Sequence, residues 1–125
     1  MFSIKRLFRS FRYAAKGFLT VLREEQSFQI QLIIGIFIIA LIFFFKVKVW
    51  ETVALLLMVT MVLVLELINS IFERIVDVLK PRLNIYIEEI KDIMAATVLL
   101  SSVVSAIVGI IIFWPYVKDL ILCPI

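Results

Sequence analysis

The chain has 125 residues, 64% of them hydrophobic, and a mean hydropathy of +1.16. This composition excludes a soluble globular domain and is typical of a small integral membrane protein, which we treat as a single domain over residues 1–125. The net charge of +3 comes mainly from basic residues before the first apolar stretch and between the second and third. The positive-inside rule therefore predicts a cytoplasmic N-terminus, and a basic surface beside membrane spans indicates lipid headgroups rather than nucleic acid.

The first predicted element is an amphipathic helix over residues 4–23. Apolar side chains recur at helical spacing on one face, and the opposite face carries the basic residues Lys5, Arg6, Arg9, Arg12, Lys16 and Arg23. A helix of this kind lies in the plane of the membrane interface. The sequence has only three glycines, so neither a Walker A loop nor a kinase-type glycine-rich loop is available.

Three apolar stretches follow, and each approaches the length that a membrane-spanning helix requires. We predict spans over residues 28–45, 50–70 and 93–114, with a short first loop over 46–51. The second helix is predicted to continue to about Leu79, because Pro81 opposes further extension. Residues 80–89 carry mixed charge and are predicted to form a cytoplasmic loop. In the third span, small residues at intervals of four favour close helix packing, and Cys123 has no second cysteine to pair with.

Polar side chains interrupt the end of the second apolar stretch, at Glu66, Asn69, Glu73 and Asp77. On a helix these four positions fall within an arc of roughly 80°. An ionisable residue at membrane depth is costly and indicates a functional site. Glu66 lies deepest, where partial desolvation suits a carboxylate to accept a proton from an alcohol. The shallower carboxylates provide the oxygen ligands that Mg²⁺ prefers.

Further polar residues flank this stripe. Glu25 precedes the first span, where an acidic residue is also common simply because it opposes the helix dipole, and it could lie at the depth of Glu73. Lys91 provides a cation for phosphate oxygens. Together these residues indicate phosphoryl transfer, which depends on positioning and charge neutralisation. The alternative is that the acids pair with Arg74 and Lys91 only to hold the helices together.

Two segments resemble signatures of the prokaryotic diacylglycerol kinase family. ELINSIFERIVD (Glu66–Asp77) is similar to its Glu-x-x-Asn-[Thr/Ser]-Ala-Ile-Glu-x-x-x-Asp motif, and KDIMAATVLL (Lys91–Leu100) is similar to its second block. The N-terminal FRYAAKGF and the segment from Glu25 to Phe28 also align with that family. The resemblance covers nearly the whole chain.

The resemblance implies an all-α membrane protein of the bacterial inner membrane, with an N-terminal surface helix, three transmembrane helices and a homotrimeric assembly that shares sites between protomers. It also implies an ATP- and Mg²⁺-dependent lipid kinase. The implied catalytic residues are Glu66, Asn69, Lys91 and Asp92, with Glu66 as the base. The implied nucleotide-binding residues are Arg6, Tyr13, Glu25, Glu73, Asp77, Lys91 and Asp92. Glu25 and Glu73 would also hold the metal. Glu66 and Arg6 would bind the lipid substrate.

Some positions depart from the family pattern, among them Phe72, Glu88 and Gln31. These departures leave two lipid substrates open, undecaprenol and diacylglycerol, with a slight preference for undecaprenol. A different class of protein also remains open at this stage. A small proton-coupled transporter would use Glu66 as its single membrane carboxylate, whereas a purely structural membrane protein would tolerate its loss.

Overall fold

A computed structural model describes residues 2–79 and 84–122 of the chain. The described residues form four helices, α1 (Ile4–Glu24), α2 (Gln26–Phe45), α3 (Val49–Leu79) and α4 (Asn84–Leu122). Three segments are long and apolar enough to cross a membrane, namely Gln26–Phe45, Val49–Leu79 and Ile85–Leu122. The prediction of an all-helical chain with three candidate membrane spans is therefore confirmed.

One residue separates α1 from α2. Glu25 has an extended backbone (φ −106°, ψ 110°), and its N–H donates to the carbonyl oxygen of Val21 at 2.8 Å. None of the side chains of residues 4–24 is buried, although the C-terminal part of the apolar face of α1 packs against α2, where the rings of Phe18 and Phe28 meet edge to face. That α1 lies on the membrane surface stays a prediction.

The turn between α2 and α3 is shorter than the sequence indicated. Lys46 adopts a left-handed conformation (φ 50°) after the last turn of α2, and α3 begins at Val49. The predicted loop over 46–51 is thus wrong for its last three residues. Glu51 lies inside the helix, and its Oε1 accepts a hydrogen bond from the N–H of Lys48 at 3.1 Å, which helps to fix the start of α3.

The predicted loop over residues 80–89 is also wrong for 84–89, which form the first turns of α4. Mixed charge suggested a loop, but Ile87 is buried there, and an exposed helix face accommodates charged side chains. Glu88 and Lys91 stand at a spacing that favours helix. Residues 80–83, and Cys123 near the C-terminus, lie outside the described residues.

The centre of the packing is α3, which contacts both α2 and α4. It packs tightly against α2 at Gly35, where an added Cβ would lie 2.9 Å from Cγ1 of Val59. Toward the end of the molecule that carries the α2–α3 turn, apolar side chains from all three helices form a buried cluster, Ile42, Leu55, Ile112 and Phe113. This arrangement fixes α3, and therefore its polar stripe, between the other two long helices.

Candidate active site

A cavity of about 610 Å³ lies beside the C-terminal half of α3, between α2, α3 and the first half of α4. Five of the predicted site residues line it, Glu66, Asn69, Glu73, Lys91 and Asp92. The structure therefore brings together residues from the two signatures, although the end of the first (Asp77) and the start of the second (Lys91) are 14 positions apart in the sequence. Such a combination of a concave apolar wall and a few convergent polar groups is typical of a ligand site.

Glu66 is the most buried carboxylate of the stripe, with 6% of the residue exposed. It forms no salt bridge with any described residue. A buried carboxylate without a cationic partner destabilises the fold. A purely structural role is therefore disfavoured, and the position of Glu66 favours a role in chemistry.

The rest of the stripe becomes more exposed toward the end of α3. Asn69 Nδ2 donates a hydrogen bond to Oε1 of Glu73 at 3.3 Å, which orients that carboxylate. Asp77 has 68% of its side chain exposed, and its Oδ1 lies 3.9 Å from Nζ of Lys91. The predicted gradient from a deep carboxylate to an aqueous edge is thus present in the side-chain exposures.

A second polar cluster joins the α1–α2 junction to α3. The hydroxyl of Ser70 donates to Oε1 of Glu25 at 3.3 Å. The Arg74 guanidinium forms hydrogen bonds with Ser70 and with Glu24, and its Nη1 lies 3.7 Å from Oε1 of Glu25. Arg74 therefore does pair with acids, as the structural alternative proposed, but its partners are Glu24 and Glu25 and not Glu66.

The predicted metal ligands occupy different surroundings. Glu73 lines the cavity, whereas Glu25 does not. Among residues 2–79 and 84–122 there is no group of three or more acidic, histidine or cysteine side chains arranged to hold a metal ion. Two carboxylates fit Mg²⁺ nevertheless, because Mg²⁺ usually keeps several waters and binds one or two carboxylates together with substrate phosphates.

Arg6 and Tyr13 are not brought to the cavity. Both lie on α1, and Tyr13 has 63% of its surface exposed. Of the described residues that line the cavity, none comes from α1. Their roles toward nucleotide and lipid stay predictions.

Sequence reasoning did not find several polar residues of the site. Ser70 is 2% exposed and links Glu25 to Arg74. Its position four residues after Glu66 places it on the same helix face. This spacing could have identified Ser70, but the predicted polar stripe does not include it. Ser27 and Ser102 also line the cavity, and Gln31, noted only as a departure from the family, lines it as well.

Two comparisons with known proteins match this chain. The sequence profile described as prokaryotic diacylglycerol kinase matches residues 12–113. An undecaprenol kinase of Bacillus subtilis (strain 168) is 28% identical over 112 residues, which cover 90% of this chain and 91% of that protein. No solved structure matches the chain. The matched region contains both signatures and every residue that lines the cavity.

Proposed function

We propose, since this chain belongs to the prokaryotic diacylglycerol kinase family, that it transfers the γ-phosphoryl group of MgATP to the hydroxyl group of a membrane lipid. Family membership and the similarity to an undecaprenol kinase point to a lipid kinase and do not favour the transporter alternative. The observation that carries the proposal is the placement of Glu66, which is buried, free of salt bridges to described residues, and in one cavity with Lys91 and Asp92.

The proposed reaction begins with the lipid hydroxyl beside Glu66. The carboxylate accepts the hydroxyl proton as the lipid oxygen forms a bond to the γ-phosphorus. The bond between the γ-phosphorus and the oxygen bridging it to the β-phosphate breaks, and ADP leaves with that oxygen. Because this chemistry develops charge mainly on phosphate oxygens, positioning and neutralisation supply most of the rate enhancement.

The other residues of the cavity have proposed roles in that neutralisation. Lys91 contacts the phosphates, and Asp77 beside it holds its ammonium at the aqueous edge of the cavity. Asn69 orients Glu73, and Asp92 supports the nucleotide. Mg²⁺, when bound by Glu25 and Glu73 together with ATP, would neutralise phosphate charge and fix the nucleotide.

The residues on α1 have proposed roles in binding. The helix would lie along the cytoplasmic surface of the bacterial inner membrane, with its cations at the headgroups. Arg6 would meet the lipid headgroup region and the nucleotide, and Tyr13 the nucleotide. We further propose a homotrimer with sites shared between protomers, in which α1 of one copy could complete the cavity of another.

The proposed substrate is undecaprenol, with undecaprenyl phosphate as product, and diacylglycerol giving phosphatidate is the second candidate. The similarity to an undecaprenol kinase along most of both chains supports the first. The test is to offer each lipid, with radiolabelled ATP and Mg²⁺, to the purified chain in detergent micelles. Labelled undecaprenyl phosphate is expected, and labelling of neither lipid would refute the kinase proposal. A transporter would show no Mg²⁺-dependent ATP binding.

A further inference from the structure

Arg74 connects α3 to the end of α1 and to the α1–α2 junction. Its Nη1 donates hydrogen bonds to the hydroxyl oxygen of Ser70 and, at 3.3 Å, to the carbonyl oxygen of the same residue. Its Nη2 donates to Oε2 of Glu24, and Nη1 lies 3.7 Å from Oε1 of Glu25. Arg74 does not line the cavity, and the proposed reaction gives it no role. It nevertheless contacts Glu25, which has the proposed role of metal ligand.

Arg74 orients the hydroxyl group of Ser70. A serine hydroxyl has one proton to donate and accepts hydrogen bonds through its lone pairs. Because Arg74 donates to Oγ of Ser70, the proton on that oxygen is available for Oε1 of Glu25, 3.3 Å from Oγ. Ser70 is 2% exposed, so water does not compete for this hydroxyl. Arg74 therefore acts on Glu25 by its own charge and through Ser70.

These contacts leave one oxygen of the Glu25 carboxylate available. Both Ser70 and Arg74 approach Oε1, and Oε2 accepts no hydrogen bond from any residue of the two described ranges. The side chain of Glu25 is 30% exposed. A carboxylate with one oxygen fixed by neighbouring side chains and the other open is oriented as a metal ligand, in the way that outer partners orient ligands in metal sites.

The second proposed metal ligand belongs to the same turn of α3. Glu73 directly precedes Arg74 in the sequence, and Ser70 lies one turn earlier. Glu25 itself is the one extended residue between two helices, with φ −106° and ψ 110°. Its carboxylate is held against α3 by Ser70 and Arg74. The position of Glu25 relative to Glu73 therefore depends on a clamp that is part of the helix carrying Glu73.

We propose that Arg74 is a positioning residue for the metal site, which holds Glu25 against the turn of α3 that carries Glu73. The inference rests on the proposed kinase function, in which these two carboxylates hold Mg²⁺, and adds a residue to that site. The guanidinium charge alone would act in the opposite direction, because it repels a metal cation. The salt bridge to Glu24 offsets that charge, so the positioning effect exceeds the repulsion.

The first experiment measures the Kd for Mn²⁺ in the full chain in micelles with a non-hydrolysable ATP analogue, from the electron paramagnetic resonance signal of free Mn²⁺. Arg74→Gln should raise this Kd by about 10–100-fold. Arg74→Lys keeps the charge but lacks the planar fork that reaches two partners, and it should raise the Kd by about tenfold or more. Lys118→Gln removes one exposed positive charge near the other end of α4 and should leave the Kd unchanged.

A double-variant comparison tests whether Arg74 acts through Glu25. Once Glu25→Gln has removed the ligand, the further change Arg74→Gln should not alter the Kd for Mn²⁺. Additive effects of the two changes would overturn the proposal. Tighter Mn²⁺ binding in Arg74→Gln would also overturn it, since the guanidinium would then act only by repulsion. An unchanged Kd with a lower stability to unfolding would do the same, by assigning Arg74 a purely structural role.

A second experiment requires neither metal nor nucleotide. Amide hydrogen exchange in residues 24–29 of the full chain reports on how firmly the α1–α2 junction is held. Arg74→Gln should accelerate this exchange by about tenfold or more, the factor expected for loss of a charge-assisted hydrogen bond. The Lys118→Gln control should exchange like the unsubstituted chain. Equal exchange in Arg74→Gln would contradict the clamp.

Failure of the proposed function gives a different result. In that case the unsubstituted chain would phosphorylate neither lipid and would bind no Mn²⁺ with the nucleotide analogue. Failure of the positioning role alone would leave phosphorylation and Mn²⁺ binding intact in the unsubstituted chain and equally intact in Arg74→Gln.

Discussion

The phenolic hydroxyl of Tyr116 in α4 donates a hydrogen bond to Oε1 of Glu51 in α3, with 2.5 Å between the oxygens. Glu51 is 7% exposed, and the ring of Tyr116 packs against Phe45 at the end of α2. This pair, of which Glu51 is the buried member, thus joins three helices at the end of the molecule remote from the active site. It holds the end of the helix bundle together without taking part in the proposed chemistry.

Removal of this bond should lower stability and leave turnover intact. Tyr116→Phe keeps the ring and removes the donor, so Glu51 loses one of its two partners. The expected loss is about 1–3 kcal/mol in the free energy of unfolding, measured by thermal or denaturant unfolding in micelles. Tyr13→Phe, on the exposed face of α1, serves as the stability control and should unfold like the unsubstituted chain. Equal stability of Tyr116→Phe would contradict the structural role.

The carboxylate of Glu66 should be essential for turnover and dispensable for assembly. Glu66→Gln preserves the shape of the side chain and removes the proton acceptor, so kcat should fall by about 10²–10⁴-fold. Oligomeric mass and unfolding should remain unchanged or improve, since a buried charge is lost. Glu89→Gln, an exposed acid on α4, is the matched control and should retain turnover. Normal turnover in Glu66→Gln would refute the proposed base.

The ammonium of Lys91 should stabilise phosphate charge during transfer. Lys91→Met keeps much of the side-chain length without the charge, and we expect kcat/KM for MgATP to fall by about 10²-fold or more. Its pair with Asp77 is partly exposed on both sides, so the cost to stability should stay below about 1 kcal/mol. Lys118→Met, near the other end of α4, provides the comparison. A large loss of stability with normal kinetics would instead support the purely structural alternative.

The two glycines of the membrane spans should respond oppositely to alanine. At Gly35 the new methyl group would meet Val59 at 2.9 Å, and this overpacking should cost about 1–3 kcal/mol in unfolding free energy. At Gly109 the methyl group meets open space, so the better helix propensity of alanine should make the change neutral or stabilising by up to about 1 kcal/mol. The double variant Gly35→Ala with Val59→Ala should recover part of the loss. Equal effects at both glycines would show that α2 and α3 do not pack closely here.

The burial of Glu66 could be predicted from the sequence, because it depends on the position of this residue along a single helix. Helical periodicity and the length of the apolar stretch were enough to predict a deep carboxylate followed by shallower ones, and the side-chain exposures follow that order. Glu51 was different. Two lysines precede it, and the local pattern predicts a loop, since nothing in that pattern indicates that Tyr116, 65 positions away, provides its partner.

The contacts at the α1–α2 junction were also beyond sequence reasoning. Ser70 and Arg74 meet Glu25 only because the junction packs against α3, and periodicity carries no information about how two helices approach each other. The same limit applies to the cavity itself. The pattern placed Lys91 and Asp92 at the mouth of the third span, but their shared cavity with Glu73 depends on the packing of α3 against α4.

The α1–α2 junction separates the two proposed binding functions in space. Glu25 lies at the junction, where the hydroxyl of Ser70 contacts it, whereas Arg6 lies about 28 Å away along α1. The C-terminal part of α1 is attached to α2 by the packing of Phe18 against Phe28. The position of the proposed metal ligand is therefore set by contacts that do not involve the N-terminal cations.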